Sequence, residues 1–284
     1  MSEIKTYRIN DKEIWQGALN KINGEIQERP IRFIIRPLGE EDAPAMGKLS
    51  ENIYQNLRRG EECFIHKHSK QYFYKVFQNP QLYYNGVFVG DELVGMSYLK
   101  ICRTEGELEE ELPNASYDFF ASSRNAGNSL VGSLGADSVL PAYRGNALNS
   151  IMINYRLNQA EQLGCTDCTS IVDRKNRWNM SPYFNNRFNL FATAIDPSDG
   201  GQISLLHKPI GQETVLSCFK PKISLPYERL DIIDGLLAKG FIGVAFDKER
   251  GEVLFAHSDY YQVKENVLAN IWLQKTLLAA KRRI

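Results

Sequence analysis

The sequence has no excess of charge of either sign and no long apolar run. Its 284 residues carry 34 basic and 34 acidic side chains, so the formal net charge is zero. A neutral chain has no general attraction to nucleic acid or to an anionic membrane surface. No apolar run approaches the roughly 20 residues of a membrane-spanning helix, and the N-terminus lacks the apolar core of a secretory signal. We therefore expect a cytoplasmic protein without a nucleic-acid or membrane partner.

Cysteine and histidine are also scarce, with five and four residues. An odd number of cysteines argues against a disulfide framework and agrees with a reducing compartment. Cys165 and Cys168 have the C-x-x-C spacing, but they follow the end of a predicted helix, whereas a redox pair normally begins one. No second pair completes a zinc site, and His66 and His68 have no nearby Cys or His partner. We expect no metal site and a structural role for both pairs.

The sequence is otherwise that of an ordinary globular protein, with 43% hydrophobic residues and no internal repeat. This length is enough for one large domain or two smaller ones, each with a real core.

The segment 139–150 is the most informative part of the chain. Pro141 ends a predicted strand, Gly145 allows a backbone that other residues resist, and apolar residues at helical spacing begin at Leu148. In such a strand–turn–helix unit, the first amides of the helix and the positive end of its dipole converge on one spot. Arg144 adds a full positive charge there. The segment therefore predicts a phosphate-binding turn.

A second strand follows this predicted helix. Gly164 ends the helix, and residues 166–173 form an apolar, β-branched run. A strand, a crossover helix and a strand favour a parallel pair with the helix on one face. Asn176 comes after the second strand, Tyr183 follows seven positions later, and Phe188 another five later.

These residues resemble the GNAT acetyltransferase superfamily, whose pyrophosphate loop follows V-x-P-x-[YF]-R-G-x-G-x-G. In that superfamily the next strand leads to an Asn, a Tyr seven residues on, and Gly-Phe. The residues in register here are Val139, Pro141, Tyr143, Arg144, Gly145, Asn176, Tyr183 and Phe188. Three positions depart from the pattern: Ala147, Asn149 and Arg187 stand where the superfamily usually has Gly or, in the loop, Ala.

The resemblance implies a mixed α/β fold with the element order β, α, β, β, β, α, β, α, β, β over approximately residues 30–210. The turn chemistry and hydrophobic spacing of this segment are consistent with that order. Among its elements are a helix over Glu40 to Leu57 and two hairpins, one over residues 82–102 and one over 191–207.

The resemblance also implies acetyl-CoA as co-substrate and an amine as acceptor, which attacks the thioester directly in a ternary complex. It implies that Val139 binds the pantetheine arm or thioester through its backbone, that Asn176 also binds the arm, and that Tyr183 protonates the leaving thiolate. It assigns the pyrophosphate to the loop residues Arg144, Gly145, Asn146, Ala147, Leu148 and Asn149. The acceptor stays open among a small amine, a peptide N-terminus and a lysine side chain.

The general base is less clear from the residues. The predicted strand that corresponds to the fourth strand of the superfamily carries no Glu, and Asp137 is its only acidic residue. A buried Asp there either has a raised pKa suited to proton removal or pairs with a neighbour and holds the sheet. Ser133 and a water molecule are the other candidates.

Two segments lie outside the resemblance, which divides the chain into 1–29, 30–211 and 212–284. The apolar residues Ile14, Trp15, Ala18, Leu19 and Ile22 predict an amphipathic helix in the first segment. The last segment predicts a helix over residues 227–239, two strands over 241–256 and a terminal helix. It is expected to extend the sheet, cover the acceptor cleft or form a homodimer surface.

The acidic run 105–111, which lies between two predicted strands, is predicted to be a solvated loop that could attract a cationic amine.

A second hypothesis for the whole protein is a catalytically inactive GNAT-like module that binds acyl-CoA or acts as a scaffold. Asn149, Arg187 and the missing Glu support it.

Overall fold

The computed structural model describes residues 4–9, 12–57, 67–112, 130–196, 200–211 and 222–257. These residues form two compact units, the first within 1–101 and 134–159 and the second within 102–133 and 160–284. The fold class is mixed α/β, as predicted.

The first unit is a sheet with three main helices. Its elements are β1 (Lys5–Ile9), β2 (Lys12–Ile22), β3 (Glu25–Pro37), α1 (Ala43–Gln55), α2 (Lys70–Val76), β4 (Leu82–Val89), β5 (Glu92–Cys102), the later part of β6 (Leu130–Val139) and most of α4 (Leu148–Gln162). The strands lie in the order β1-β2-β3-β4-β5, with the later part of β6 next to β5. The core packs side chains of α1, α2 and α4 with those of β2 to β5.

The predicted N-terminal helix is wrong, because residues 12–22 form β2 and pair with β3 in antiparallel register. Trp15 and Leu19 are both buried, and they are four residues apart. That separation puts two side chains on one face of a helix and also on one face of a strand, so it does not decide between them. Pairing with β3 decides for the strand.

The second unit continues the chain with the C-terminal strands. Its elements are α3 (Glu105–Glu111), the first residues of β6, β7 (Cys165–Asp173), α5 (Arg177–Asn185), β8 (Asn189–Ile195), β9 (Gln202–Pro209), β10 (Ile223–Pro226), α6 (Leu230–Leu237), β11 (Phe241–Asp247) and β12 (Glu252–His257). The first residues of β6 lie next to β7, and the order continues β7-β9-β8-β11-β12-β10. Between residues 30 and 210 the predicted order is followed by β3, α1, β4, β5, β6, α4, β7, α5, β8 and β9. The helices α2 and α3 are additional to it.

The acidic run is a helix, and the predicted solvated loop is wrong. Thr104 caps α3 by accepting a hydrogen bond from the Glu107 amide at 3.3 Å, and acidic residues in a first helical turn are favourable. Leu108 and Leu112 are buried in the core of the second unit. Residues 113–129, which follow, lie outside the described part of the chain.

The C-terminal segment extends the sheet of the second unit. Gly243 of β11 lies opposite Leu190 of β8, and α6, β11 and β12 match the predicted helix and strands. The predicted terminal helix lies outside the described residues. The predicted division at residues 29/30 and 211/212, the homodimer and the acceptor-cleft cover all stay predictions.

Candidate functional site: the loop before α4

The loop between β6 and α4, where the sequence predicts a phosphate-binding turn, contains two residues with positive φ. After a short 3₁₀ turn over Pro141–Tyr143, Gly145 has φ +83° and Ala147 has φ +58°. Both residues are left-handed, although only glycine adopts this conformation without cost. Ala147 stands where the GNAT pattern places its second glycine, so the chain retains the glycine-like backbone at this position without the glycine.

The helix that follows presents its N-terminus to this loop. Ile151 donates its amide to the Ala147 carbonyl at 3.1 Å, which closes the first turn of α4. Leu148 begins the helix, and its side chain is buried in the core, so only its backbone faces the loop. Asn149 is half-buried in the same turn. A 15-residue helix places a partial positive charge here.

Two side chains of the loop are held by residues of the same unit. Arg144 is exposed, and its Nε donates to the Val139 carbonyl at 3.1 Å. Tyr143 donates its hydroxyl to Glu92 Oε2 at 2.9 Å, and partial burial together with this carboxylate raises the pKa of Tyr143. The Arg144 charge therefore lies at the surface beside the left-handed turn.

The side chain of Asn146 is held by backbone groups of β2 and of its own loop. Its amide group makes four hydrogen bonds, one of them to Tyr143 and three to the backbone of β2. Because its side chain is used in this way, we expect Asn146 to contribute to anion binding through its backbone alone.

Asp137 forms an ion pair with Arg156, and both side chains are almost completely buried. Arg156 also donates to the Tyr98 carbonyl at 3.0 Å and the Gly135 carbonyl at 3.1 Å, so one guanidinium joins α4, β5 and β6. Ala136, which lies between Gly135 and Asp137, has φ +54° and marks an irregularity in β6. This geometry corresponds to the second of the two roles expected for Asp137, in which it pairs with a neighbour.

Arg156 is a functional candidate that no pattern in the sequence indicates. Its neighbours Met152, Ile153 and Tyr155 are buried, and nothing in the spacing distinguishes a buried arginine from a solvated one on such a helix. Only the nearby carbonyls and Asp137 show why the charge is tolerated there.

Asn176 and Tyr183 belong to the second unit, where α5 carries both. Asn176 is the N-cap residue of α5, and Tyr183 lies about two turns later with only 1% of its surface exposed. The Tyr183 ring packs edge-to-face on Phe188 with a centroid distance of 5.1 Å. Arg187, at the position where the pattern has Gly, has φ +62° and so also keeps a glycine-like backbone.

Ser-Pro is typical of a helix start, so Ser181 and Pro182 predict the beginning of a short helix, but they do not begin α5. The helix begins at Arg177, and Pro182 lies inside it. A proline inside a helix removes one backbone hydrogen bond.

Ser133, the other candidate base, donates its hydroxyl to Glu111 Oε2 of α3 at 3.2 Å. The Ser133 hydroxyl is therefore oriented by Glu111, a partner 22 residues away that no local pattern in the sequence indicates.

The C-x-x-C pair lies within strand β7, and both cysteines are buried and form no disulfide. Burial and the nearby Asp167 raise the pKa of Cys165 to about 12, so this thiol is neutral at physiological pH. Of the histidine pair, His68 stacks on Tyr72 with a centroid distance of 3.8 Å, and His66 lies outside the described residues. Within the described ranges, no group of three or more His, Cys, Asp or Glu residues could hold a metal ion.

A buried pair of polar side chains occurs in the second unit, between Asp167 of β7 and His207 of β9. His207 Nε2 lies 2.9 Å from Asp167 Oδ1, and both side chains are fully buried. Thr166 donates its hydroxyl to the other oxygen of Asp167 at 2.7 Å. Full burial makes this pair part of the framework.

In the part of the chain that the structure describes, no helix has the length and apolarity needed to cross a membrane.

Comparison with known proteins returns acetyltransferases among solved structures only. No family model matches the sequence, and no curated protein matches it significantly. A structure of Arabidopsis thaliana NAA60 with acetyl-CoA is 16% identical, with 63% of this chain and 99% of that chain covered and a TM-score of 0.47. The PaiA N-acetyltransferase of Thermoplasma acidophilum with coenzyme A is 19% identical over 62% and 98% of the two chains, with a TM-score of 0.42.

A GNAT-family acetyltransferase from Streptococcus pneumoniae is similar to the same extent, with 13% identity, coverage of 63% and 99%, and a TM-score of 0.44. All three structures are less than 25% identical to this chain and align with it at TM-scores below 0.5.

Proposed function

We propose that this protein is an acetyl-CoA-dependent N-acetyltransferase of the GNAT type. The observation that carries the proposal is the loop before α4, where Gly145 and Ala147 are both left-handed and Arg144 is exposed beside a helix N-terminus. Arg187 is left-handed at a third position where the GNAT pattern has glycine. Ala147 and Arg187 adopt a glycine-like backbone at an energetic cost. Such strain persists only where the surrounding structure requires that backbone conformation.

The loop fits a pyrophosphate on three counts. A Cβ built on Gly145 would meet nothing within 4 Å, so there is open space above its backbone. The positive end of α4 and the Arg144 guanidinium both favour an anion. The Leu148 side chain is buried away from this space. The residues that would hold the pyrophosphate are therefore Arg144 and the backbone amides of the left-handed turn and first helical turn.

The reaction requires an acceptor amine to attack the thioester carbonyl, with loss of a proton from the amine and release of a thiolate. In the proposed mechanism Asn176 binds the pantetheine arm and the Tyr183 hydroxyl gives its proton to the thiolate. A phenol with a reference pKa near 10 is protonated at neutral pH and so is able to donate. We propose no single acceptor, since a small amine, a peptide N-terminus and a lysine have the same reacting group.

We propose that Asp137 is not the general base. Its pairing with the buried Arg156 favours the carboxylate form and so makes the group a weaker proton acceptor. Ser133, oriented by Glu111, and a water molecule remain as routes for the amine proton.

A binding module without turnover is the second candidate, and the burial of Tyr183 favours it. With 1% of its surface exposed and its ring against Phe188, Tyr183 has the environment of a packing residue. A phenol that serves only packing does not require its hydroxyl for turnover, whereas a proton donor does.

Calorimetric titration with acetyl-CoA is the first test of the proposed function. We expect saturable binding by the wild type and loss of binding in Arg144→Glu, because the substitution places a negative charge where the pyrophosphate is held. Arg144 is exposed, so this variant should fold normally. Absence of binding by the wild type would overturn the assignment of the loop and leave the scaffold hypothesis.

Tyr183→Phe separates catalyst from binding module. We expect turnover to fall by about an order of magnitude or more with unchanged cofactor affinity, as for a lost proton donor. The matched control is Tyr227→Phe, a change of another buried tyrosine in the same unit whose hydroxyl lies 2.7 Å from Ser204 Oγ. Thiol release under saturating acetyl-CoA is the readout, and equal turnover in the two variants would remove Tyr183 from the mechanism.

A further inference from the structure

The side chain of Asn146 joins the loop before α4 to the backbone of β2. Its Oδ1 accepts from the amides of Asn20 at 3.1 Å and Lys21 at 3.0 Å. Its Nδ2 donates to the Lys21 carbonyl at 2.8 Å and to the Tyr143 carbonyl at 3.0 Å. Every one of these four partners is a backbone group, so the contact depends on Asn146 and on the path of β2.

The two Oδ1 bonds form where β2 departs from its regular pairing with β3. Leu19 pairs with Ile31, but Lys21 pairs with Ile26, so the register shifts between these two positions. At such an irregularity backbone groups leave the ladder and need other partners. Asn146 supplies both an acceptor and a donor to this one point of β2.

A fifth hydrogen bond holds the other side of the same loop. Asn23, in the turn between β2 and β3, donates its amide to the Ala142 carbonyl at 2.7 Å. Asn23 has φ +52° and Gly24 has φ +83°, which makes this a tight hairpin turn. The hairpin therefore contacts the loop before Gly145, through Ala142, and after it, through Asn146.

A loop with two left-handed residues has many alternative conformations, and ordering it on ligand binding would reduce affinity. Anchors on both sides of Gly145 fix its backbone before a ligand arrives. An amide is the side chain suited to this role, because it offers an acceptor and a donor with no charge. An aspartate would oppose the Lys21 and Tyr143 carbonyls, and an alanine would leave all four partners unmet.

We propose that Asn146 is a positioning residue that, with the β2–β3 hairpin, holds the anion-binding loop in its binding conformation. This inference rests on the proposed function for the identity of the ligand, but the anchoring itself does not. The β2–β3 hairpin then helps to determine the shape of the cofactor site.

Asn158 provides a matched control on the same helix and the same strand. It donates to Glu13 Oε1 at 2.8 Å, and Tyr155 donates to the Glu13 carbonyl at 2.6 Å, so these contacts attach β2 to the later part of α4. Asn158→Ala therefore loosens β2 away from the loop, whereas Asn146→Ala loosens it at the loop.

The experiment combines hydrogen exchange without ligand and calorimetry with acetyl-CoA on both variants. In Asn146→Ala we expect faster amide exchange in residues 142–148 and acetyl-CoA affinity reduced by about tenfold or more, the loss typical of a displaced binding group. In Asn158→Ala we expect loop exchange unchanged and affinity within about twofold of wild type, since additivity holds for sites without shared partners. Asn20→Pro removes one amide donor while leaving Asn146 in place, and should act in the same direction as Asn146→Ala.

The outcomes separate the inference from the proposed function. If loop exchange and affinity are unchanged in both Asn146→Ala and Asn20→Pro, the positioning role is overturned. If the wild-type protein fails to bind acetyl-CoA, the proposed ligand is wrong. The amide exchange rates of the loop in the wild type and the variants then test the anchoring by themselves. If Asn146→Ala does not fold, Asn20→Pro supplies the same comparison.

Discussion

Ala147 and Arg187 show how single residues retain a backbone that their side chains disfavour. Both are left-handed, and neither is the glycine that would adopt that conformation freely. Ala147 has the smaller side chain of the two and lies in the candidate binding site, the loop before α4. Its strained backbone lowers the free energy of unfolding, and substitution by glycine should remove that strain.

Ala147→Gly should increase the free energy of unfolding by about 0.5 to 1 kcal/mol. The left-handed alanine costs about 1–2 kcal/mol, and the greater freedom of glycine in the unfolded chain returns roughly half of that. Ala142→Gly, in the same loop but without a positive φ, should be destabilising. Denaturant titration of the two variants is the measurement, and a destabilised Ala147→Gly would contradict the strain argument.

Cys165 illustrates how burial alters the chemistry of one residue. Its folded pKa of about 12 lies above the usual thiol value, so the folded protein retains a proton that the unfolded chain loses. The free energy of unfolding should therefore fall as pH rises from about 9 toward 12, because the unfolded thiol ionises first.

We expect the thiol of Cys165 to be unreactive to iodoacetamide at pH 8 in the folded protein and to react after denaturation. Peptide-level mass spectrometry before and after addition of guanidinium is the measurement. Cys168, which is also buried in β7, should behave in the same way. Rapid labelling of Cys165 in the folded state would show that β7 is accessible there and would reopen a redox role for the pair.

At the scale of elements, Arg156 joins one helix to two strands. Its guanidinium bonds carbonyls of β5 and β6 as well as Asp137, so three elements meet at a single buried charge. Removing one partner of such a pair leaves an uncompensated buried charge, whereas replacing both avoids this cost.

Arg156→Met should destabilise the protein by about 3–5 kcal/mol, the range for breaking a buried ion pair. The double variant Arg156→Met with Asp137→Leu should recover a large part of that loss. A double-mutant cycle by denaturant titration measures the coupling between the two side chains. Additive losses in the cycle would mean that the pair contributes no coupling energy.

At the scale of the molecule, the C-terminal segment is built into the sheet of the second unit through a close approach at Gly243. A Cβ built there would lie 2.8 Å from Val253 Cγ1 and 3.0 Å from Leu190 Cβ. Tyr227 and Phe246 of the same segment pack against each other, with a centroid distance of 5.8 Å. The segment therefore shares the core of the second unit.

Gly243→Ala should reduce the free energy of unfolding by about 1–3 kcal/mol, the usual cost of overpacking a core. Gly235→Ala, in α6 of the same unit, meets nothing within 4 Å and should stabilise the helix by about 1 kcal/mol. Thermal unfolding of both variants is the measurement. Equal stability in the two would show that β11 and β8 separate easily enough to accept a methyl group.

Much of the element order could be predicted from the sequence, because local spacing determines it. The strands on either side of the first hairpin, the helix after Gly145 and the strand after Gly164 all lie close to where periodicity and turn residues place them. Each error has its own local cause. Residues 14–22 fit two periods, Ser181-Pro182 resembles a helix start, and the acidic run needed the Thr104 cap and buried leucines to become a helix.

The sequence by itself determined the strand, turn and helix around Gly145, since Pro141, Gly145 and the apolar spacing after Leu148 are local signals that need no distant partner. Only the tertiary structure decided what the polar side chains of the site do. Asp137 turned toward Arg156, and Asn146 toward the β2 backbone, because buried or half-buried polar groups take whichever partner the packing brings near. Those partners are between 19 and 126 residues away along the chain, and no local pattern records them.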